Sequence, residues 1–174
     1  FKASPLTEED KLAALFSLPA KRSEFAPETC VITVSRFGLV KKSIVTELPG
    51  PSAQTFVLAR VNEGDRLGWV GLTDGLTKDV LLVTSQGMAI RFKEDDVRPM
   101  GLVAAGVNGI KLDESDELVG AEILPTEGEV FLMTSDGKAK RISEKEFPTQ
   151  GRYGKGVNVW TLPKKVTIAG VASG

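Results

Sequence analysis

The chain has 174 residues, 41% of them hydrophobic, with 22 basic and 23 acidic side chains and a formal net charge of −1. This content makes it globular rather than disordered, and no apolar run approaches the roughly 20 residues that span a bilayer. It has no histidine, which removes the usual general base and the commonest metal ligand, and its one cysteine, Cys30, cannot close an internal disulfide.

The chain opens at Phe1 without methionine or a signal-peptide pattern, as expected of a fragment of a longer chain. Residues 12–18 are apolar and are expected to form a strand, although Glu8-Glu9-Asp10 could instead cap a helix over 11–16. Residues 21–29 have two prolines nearby and read as a loop. Residues 31–34 and 39–44 are then two short strands flanking Gly38, with Cys30 as a small buried thiol at the strand start. Residues 56–61 and 67–72 are further apolar strand candidates on either side of Glu63-Gly64-Asp65.

The pattern then recurs. Residues 80–84 (VLLVT) are a continuous β-branched run, Ser85-Gln86-Gly87 is a turn, and 88–92 alternates as a second strand. Residues 109–112 and 118–123 flank Glu114-Ser115-Asp116. A third copy has 130–134, the turn Ser135-Asp136-Gly137, and 138–142. Here Lys138, Lys140 and Ile142 share one face, and Ala139 and Arg141 the other. Gly38, Gly87 and Gly137 stand in one column, 49 and 50 residues apart, and supply the positive φ of a tight hairpin. Lys42, Arg91 and Arg141 form a second column. Asp10, Asp65 and Asp116 form a third, each expected to bond the backbone of its own turn.

A fixed period near fifty residues with about four short strands per unit predicts an all-β, propeller-like repeat domain. The repeats are 1–29 (partial), 30–78, 79–128 and 129–174, in one domain. No Trp-Asp dipeptide or double glycine of other propeller repeats is present. An open ring, a ring closed by four blades, and part of a larger ring all remain open at this point. Charge is uneven: residues 79–128 carry ten acidic and four basic side chains, residues 129–174 four acidic and eight basic. Local potential, rather than the total, steers a polyanion.

Residues 80–112, VLLVTSQGMAIRFKEDDVRPMGLVAAGVNGIKL, closely resemble the C-terminal domain of the A-type chain of DNA gyrase and of its topoisomerase IV relatives. Phe37-Gly38-Leu39-Val40-Lys41-Lys42 is similar to the same family's hairpin. The resemblance covers the chain from Cys30 and, more weakly, from Pro5. It implies a β-pinwheel, a propeller whose blades exchange strands, with about three to four blades here and duplex DNA bent around the rim. The implied parent is a bacterial, cytoplasmic, nucleoid-associated type IIA topoisomerase, an isomerase whose A-type subunit works with a B-type ATPase subunit. No cofactor is expected in this domain; ATP and magnesium would serve other domains, as would the DNA-cleaving tyrosine.

The family carries a seven-residue basic box, Gln-Arg-Arg-Gly-Gly-Lys-Gly. Residues 150–156, Gln150-Gly151-Arg152-Tyr153-Gly154-Lys155-Gly156, match five of its positions and depart at Gly151 and Tyr153. Glycines let a backbone approach phosphate closely, and Arg152 and Lys155 add charge; a flexible basic linker is the plainer reading. Candidate DNA contacts are therefore Gln150, Arg152 and Lys155, with Lys41, Lys42, Arg91, Lys138, Lys140 and Arg141 along the second hairpin strand. The plainer reading of that strand is a solvated edge guarded by lysines. Arg98 is either a contact or an ion-pair partner of Asp95 or Asp96. Two cations usual in the family are replaced by Leu102 and Asn108, and residues 49–56 carry none. Tyr153 has no neighbouring motif of a nucleophile, and the acidic runs at 95–96 and 113–117 read as solvated turns. Trp69 and Trp160 are expected in the core or at blade junctions. No catalytic or metal-binding residue is assigned. Duplex-DNA wrapping is thus the expected function. The alternative is a degenerate pinwheel serving as a scaffold or protein-interaction module.

Overall fold

A computed structural model describes residues 11–174 except 16, 20, 53 and 126. All three hairpins form where the repeat puts them, and each belongs to a sheet of its own. β1 (Cys30–Ser35) pairs with β2 (Leu39–Ile44), β4 (Asp79–Thr84) with β5 (Met88–Lys93), and β8 (Glu129–Thr134) with β9 (Ala139–Ser143). The turn glycines sit at φ 85°, 85° and 84° for Gly38, Gly87 and Gly137, a region that side chains with a Cβ rarely adopt. Each hairpin runs into a 3₁₀ turn: Val45–Glu47, Glu94–Asp96 and Glu144–Glu146.

An inner strand adds to each hairpin. β3 (Leu67–Thr73) pairs with β1, β7 (Leu118–Leu124) with β4, and β11 (Ile168–Ser173) with β8. The repeat reading did not anticipate β11. The outer strand of a sheet comes from the next repeat. β6 (Val107–Asn108) lies against β2, with Val40 opposite Val107, and β10 (Val157–Asn158) lies against β5, with Ala89 opposite Val157. The sheets therefore read β3-β1-β2-β6, β7-β4-β5-β10 and β11-β8-β9. We call them blades one, two and three.

Three expected strands are corrected. Residues 56–61 and 109–112 form no strand, and neither do the described residues within 11–19. Their amides bond singly across elements instead of in a ladder: Gly109 donates to Gly38 O at 2.8 Å, Lys111 to Gly154 O at 2.9 Å, and Arg60 to Ala104 O at 3.2 Å. The expected loop at 21–29 contains a 3₁₀ turn, Arg22–Glu24. Asp65 and Asp116 tie their hairpins, accepting from the amides of Phe37 (3.1 Å) and Gln86 (3.2 Å) as well as from their own following amides. Asp10, with the pattern at 5–10, lies outside the described residues.

The core is built at the junctions. Ile32, Val34 and Val40 of blade one pack with Val80, Leu82, Ile90 and Phe92 of blade two. Leu81, Val83 and Ala89 of blade two pack with Val130, Leu132 and Ile168 of blade three. Alternation along β1, β4 and β8 thus points one set of side chains to the preceding blade and the other to the following one. The far side of blade one is covered by its own connections: Val31, Val45 and Leu48 cluster with Phe25 and Leu58.

Candidate nucleic-acid interface

The structure separates the ten predicted contacts into interior latches and exposed cations. Lys41 and Lys42 are each 1% exposed and offer nothing to an external phosphate. Lys41 Nζ donates to Ser43 Oγ (2.8 Å), Leu58 O (2.5 Å) and Leu102 O (2.9 Å), joining two connecting segments. Burial pushes its ammonium pKa down. Lys42 Nζ donates to Gly75 O (2.9 Å) and to Glu94 O (3.1 Å), at the head of the next blade's 3₁₀ turn.

Arg91 occupies the same register position in blade two and does the same work with a fork. Its Nε pairs with Asp79 at 2.6 Å, and one terminal nitrogen reaches both Glu144 O and the Glu144 carboxylate at 2.7 Å. Burial pushes the Asp79 carboxyl up, but Lys93 (2.8 Å) and Arg91 outweigh it and hold the group below its usual range. Burial alone would lower Arg91, and its two carboxylates raise it instead. The expectation of a continuous cationic strip is corrected here: in blades one and two the column, Lys42 buried and Arg91 half-buried, is engaged at a junction because the next blade lies on it.

Blade three differs. The Arg141 side chain is 72% exposed and bonds only Glu129 of its own blade among the described residues, with Nε at 2.6 Å. Lys138 is exposed and pairs with Asp136 at 3.0 Å. Lys140 is half-buried, donates to Val159 O and lies 4.8 Å above the Trp160 ring; burial lowers its pKa.

Residues 150–156 form a strap laid back over blade two. Gln150 is half-buried and its amide donates to Arg91 O at 2.8 Å. Tyr153, at φ 66°, donates its amide to Gly109 O at 2.7 Å. Gly156, at φ 77°, passes so close that a Cβ would stand 2.2 Å from Ala89 O, so only glycine fits. The exposed Arg152 sends Nε to Asp96 O and a terminal nitrogen to Asn108 O, both at 3.1 Å. An arginine has five N–H donors, so these bonds fix its stem and leave donor capacity. Lys155 pairs with Asp113 at 2.9 Å and is exposed. Arg98, also exposed, shares a surface depression with Arg152, Asp95 and Asp96. The fold thus brings Arg98, Arg152 and Lys155 to one strap region and leaves Lys138 on blade three. Sequence reasoning missed Lys111, an exposed cation whose amide bonds the strap; it stands off the recurring column, and only the strand exchange brings it there.

Comparison with known proteins accords with this geometry. The model of the DNA gyrase C-terminal domain, a β-propeller, matches residues 78–125 and 128–173. The DNA gyrase A protein of Salmonella typhimurium is 37% identical over 153 residues, which cover 88% of this chain and 17% of that protein. The C-terminal domain of a DNA topoisomerase IV superposes with a TM-score of 0.80 at 27% identity, over 87% of this chain and 48% of that one. The E. coli ParC C-terminal domain, at 16% identity and TM-score 0.66, shares the fold over 84% of this chain and 62% of that one. The chain spans about a sixth of the curated relative's length, and it belongs to the DNA gyrase C-terminal domain family.

Proposed function

We propose that this domain is a non-catalytic module of the A-type subunit of a bacterial type IIA topoisomerase, which binds and bends duplex DNA through its phosphates. The observation that carries the reading is the strap at 150–156, where a glycine-shaped backbone holds exposed Arg152 beside Arg98 and presents exposed Lys155. Such groups neutralise phosphates and release counterions without reading sequence. Bending a duplex costs about a few kcal/mol, so several contacts act together, with Gln150 on the strap and Lys138 on blade three as further contacts. Within the parent, wrapping assists ATP-dependent change of DNA topology. ATP, magnesium, the DNA-cleaving tyrosine and the B-type ATPase subunit then belong to other parts of the enzyme, which acts on the bacterial nucleoid in the cytoplasm.

The test is binding to a labelled duplex of roughly 40 base pairs over a salt series, beside Arg152→Ala/Lys155→Ala. Affinity should fall steeply with salt, and the double variant should bind more weakly, with the slope reduced by up to about two units. A second reading is favoured by one observation: Lys41, Lys42 and Arg91 are consumed in junction bonds, so the rim has fewer free cations than the sequence suggests. On that reading the domain is a scaffold or protein-interaction module. No binding at the lowest salt would select it.

A further inference from the structure

We propose that the cleft between the hairpin turn of blade one and the strap at 150–156 binds an unpaired nucleobase of a DNA strand, which Phe37 and Tyr153 take up by stacking. Both side chains line a cleft of about 430 Å³. They are 51% and 50% exposed, although each is a large ring. They come from different repeats, and the junction brings them together. The Tyr153 amide donates to Gly109 O at 2.7 Å, and the Gly109 amide donates to Gly38 O, beside Phe37, at 2.8 Å. The Phe37 amide is held in turn by Asp65 at 3.1 Å. Both ring-bearing loops are therefore fixed by main-chain bonds.

The fold itself calls for neither ring. Where blade one has Phe37, the other two hairpin turns carry the polar Gln86 and Asp136. Where the strap has Tyr153, three residues before Gly156, the corresponding segment before Gly106 has Val103. Neither ring packs into the core clusters at the junctions or behind blade one. Tyr153 also keeps its side chain at φ 66°, a conformation that glycine would adopt without strain.

The other walls fit a nucleotide. Buried Ile110 and half-buried Leu112 add apolar surface. Asn108 is exposed, and among the described residues its side-chain amide bonds nothing, so it is free to meet a base edge. Lys111 is exposed and lines the same cleft, and Arg152 reaches Asn108 O at 3.1 Å. The remaining lining side chains are acidic. Asp113 is paired with Lys155 at 2.9 Å, Asp116 accepts from Ser85 Oγ at 2.7 Å and from turn amides, and Glu114 is exposed. These carboxylates repel phosphate, which leaves the phosphates flanking the base to Lys111 and Arg152. Every base has a face that can stack on an aromatic ring, but in a duplex those faces are covered by neighbouring pairs, so the ligand is an unpaired strand.

The probe is a fluorescein-labelled single strand of roughly twelve thymidylates, titrated with the whole chain. Tyr153→Gly, which removes the ring and relaxes the backbone, and Phe37→Ala should each weaken binding about fivefold or more, whereas Tyr153→Phe should bind like the native chain. A strand of the same length with abasic sites keeps the phosphates and should bind at least about tenfold more weakly. Tyr153 is the one tyrosine in the sequence, so the chain made with 3-fluorotyrosine gives a single fluorine signal. That signal should shift clearly more with the thymidylate strand than with the abasic one. Phe37→Ala should leave the binding of a blunt duplex unchanged. No binding at millimolar strand, full affinity of Tyr153→Gly or Phe37→Ala, or equal binding of the abasic strand would overturn the proposal. Loss of duplex affinity in Phe37→Ala, or displacement of the strand by submillimolar thymidine monophosphate, would overturn the choice of an unpaired strand as ligand. Failure of the native chain to bind duplex bears on the wrapping function and not on this site.

Discussion

Replacing Arg91 with alanine leaves two buried carboxylates without their shared cation. Asp79 and Glu144 side chains are each 4% exposed, and both ion pairs lie within 2.7 Å. Removing the arginine from these pairs costs about 3–5 kcal/mol, because Glu144 is left buried without its cation and Asp79 keeps only Lys93. With a urea m-value of about 2 kcal/mol/M, the unfolding midpoint should drop by about 2 M. Arg141→Ala, at the same register position but exposed, should cost no more than about 1 kcal/mol. pH supplies a second check. In the native protein the folded-state pKa of Asp79 is depressed. Its contribution is present above the unfolded carboxylate pKa and is lost as pH falls through the folded value. In Arg91→Ala the Asp79 carboxyl keeps only Lys93 against its burial, its folded-state pKa rises, and the penalty applies at neutral pH and is relieved on protonation. The gap between native and variant should therefore narrow from pH 7 towards pH 4, in urea unfolding followed by circular dichroism. The triple variant Asp79→Asn/Arg91→Met/Glu144→Gln should recover much of the loss. A loss no larger than that of Arg141→Ala, or a gap independent of pH, would refute the latch.

The turn glycines give a second contrast. Gly137→Ala meets only backbone strain and should cost about 1–2 kcal/mol, whereas Gly87→Ala also drives a Cβ into Trp160 O and should lower the melting temperature clearly more. Thr73→Val removes the hydroxyl that donates to the buried Glu94 carboxylate at 2.6 Å and should destabilise by about 1–3 kcal/mol in denaturant titration. Burial raises the Glu122 pKa despite the hydroxyl of Ser173 at 2.8 Å. Its penalty applies above the raised value and is relieved as pH falls towards the unfolded one, so Glu122→Gln should reduce the gain in stability on moderate acidification, measured by thermal melts at stepped pH.

The hairpins were legible because three local signals coincide in them: a β-branched run, a polar turn and a glycine that must take positive φ. β6 and β10 were not, since two residues cannot declare a strand and their partners lie far away in sequence. Residues 56–61 and 109–112 misled for a related reason. In 109–112 the apolar pattern reflects packing of Ile110 and Leu112 at a junction, and in 56–61 only Leu58 packs, on the far side of blade one, both of which a loop satisfies as well as a strand does. The fate of the lysines had a signal that went unread. At the position of Lys41, blade two carries Ile90, a core residue, so the column points inward and a lysine there must find carbonyls. Asp79 stands at the start of the strand opposite Arg91, and charge pairing across a hairpin identifies that arginine as structural. The exposed site at 150–156 was legible from its glycines and cations. Its attachment through Asp96 O and Asn108 O was not, because main-chain acceptors leave no mark in a sequence.

The outer strands have a consequence for how such a domain can grow or shrink. The stretch of gene that repeats and the sheet that folds are out of phase: blade two ends with Asn158, well inside the third repeat. Cutting the chain at a repeat boundary therefore strips a strand from the preceding sheet, and a single excised period is not a foldable piece. Insertion or loss of a whole period at any point between 30 and 174, however, preserves every junction type, because each blade touches only its neighbours. The architecture resists fragmentation yet accepts change in whole periods. Its curved length is thus set by counting repeats, one blade at a time, rather than by altering any one of them.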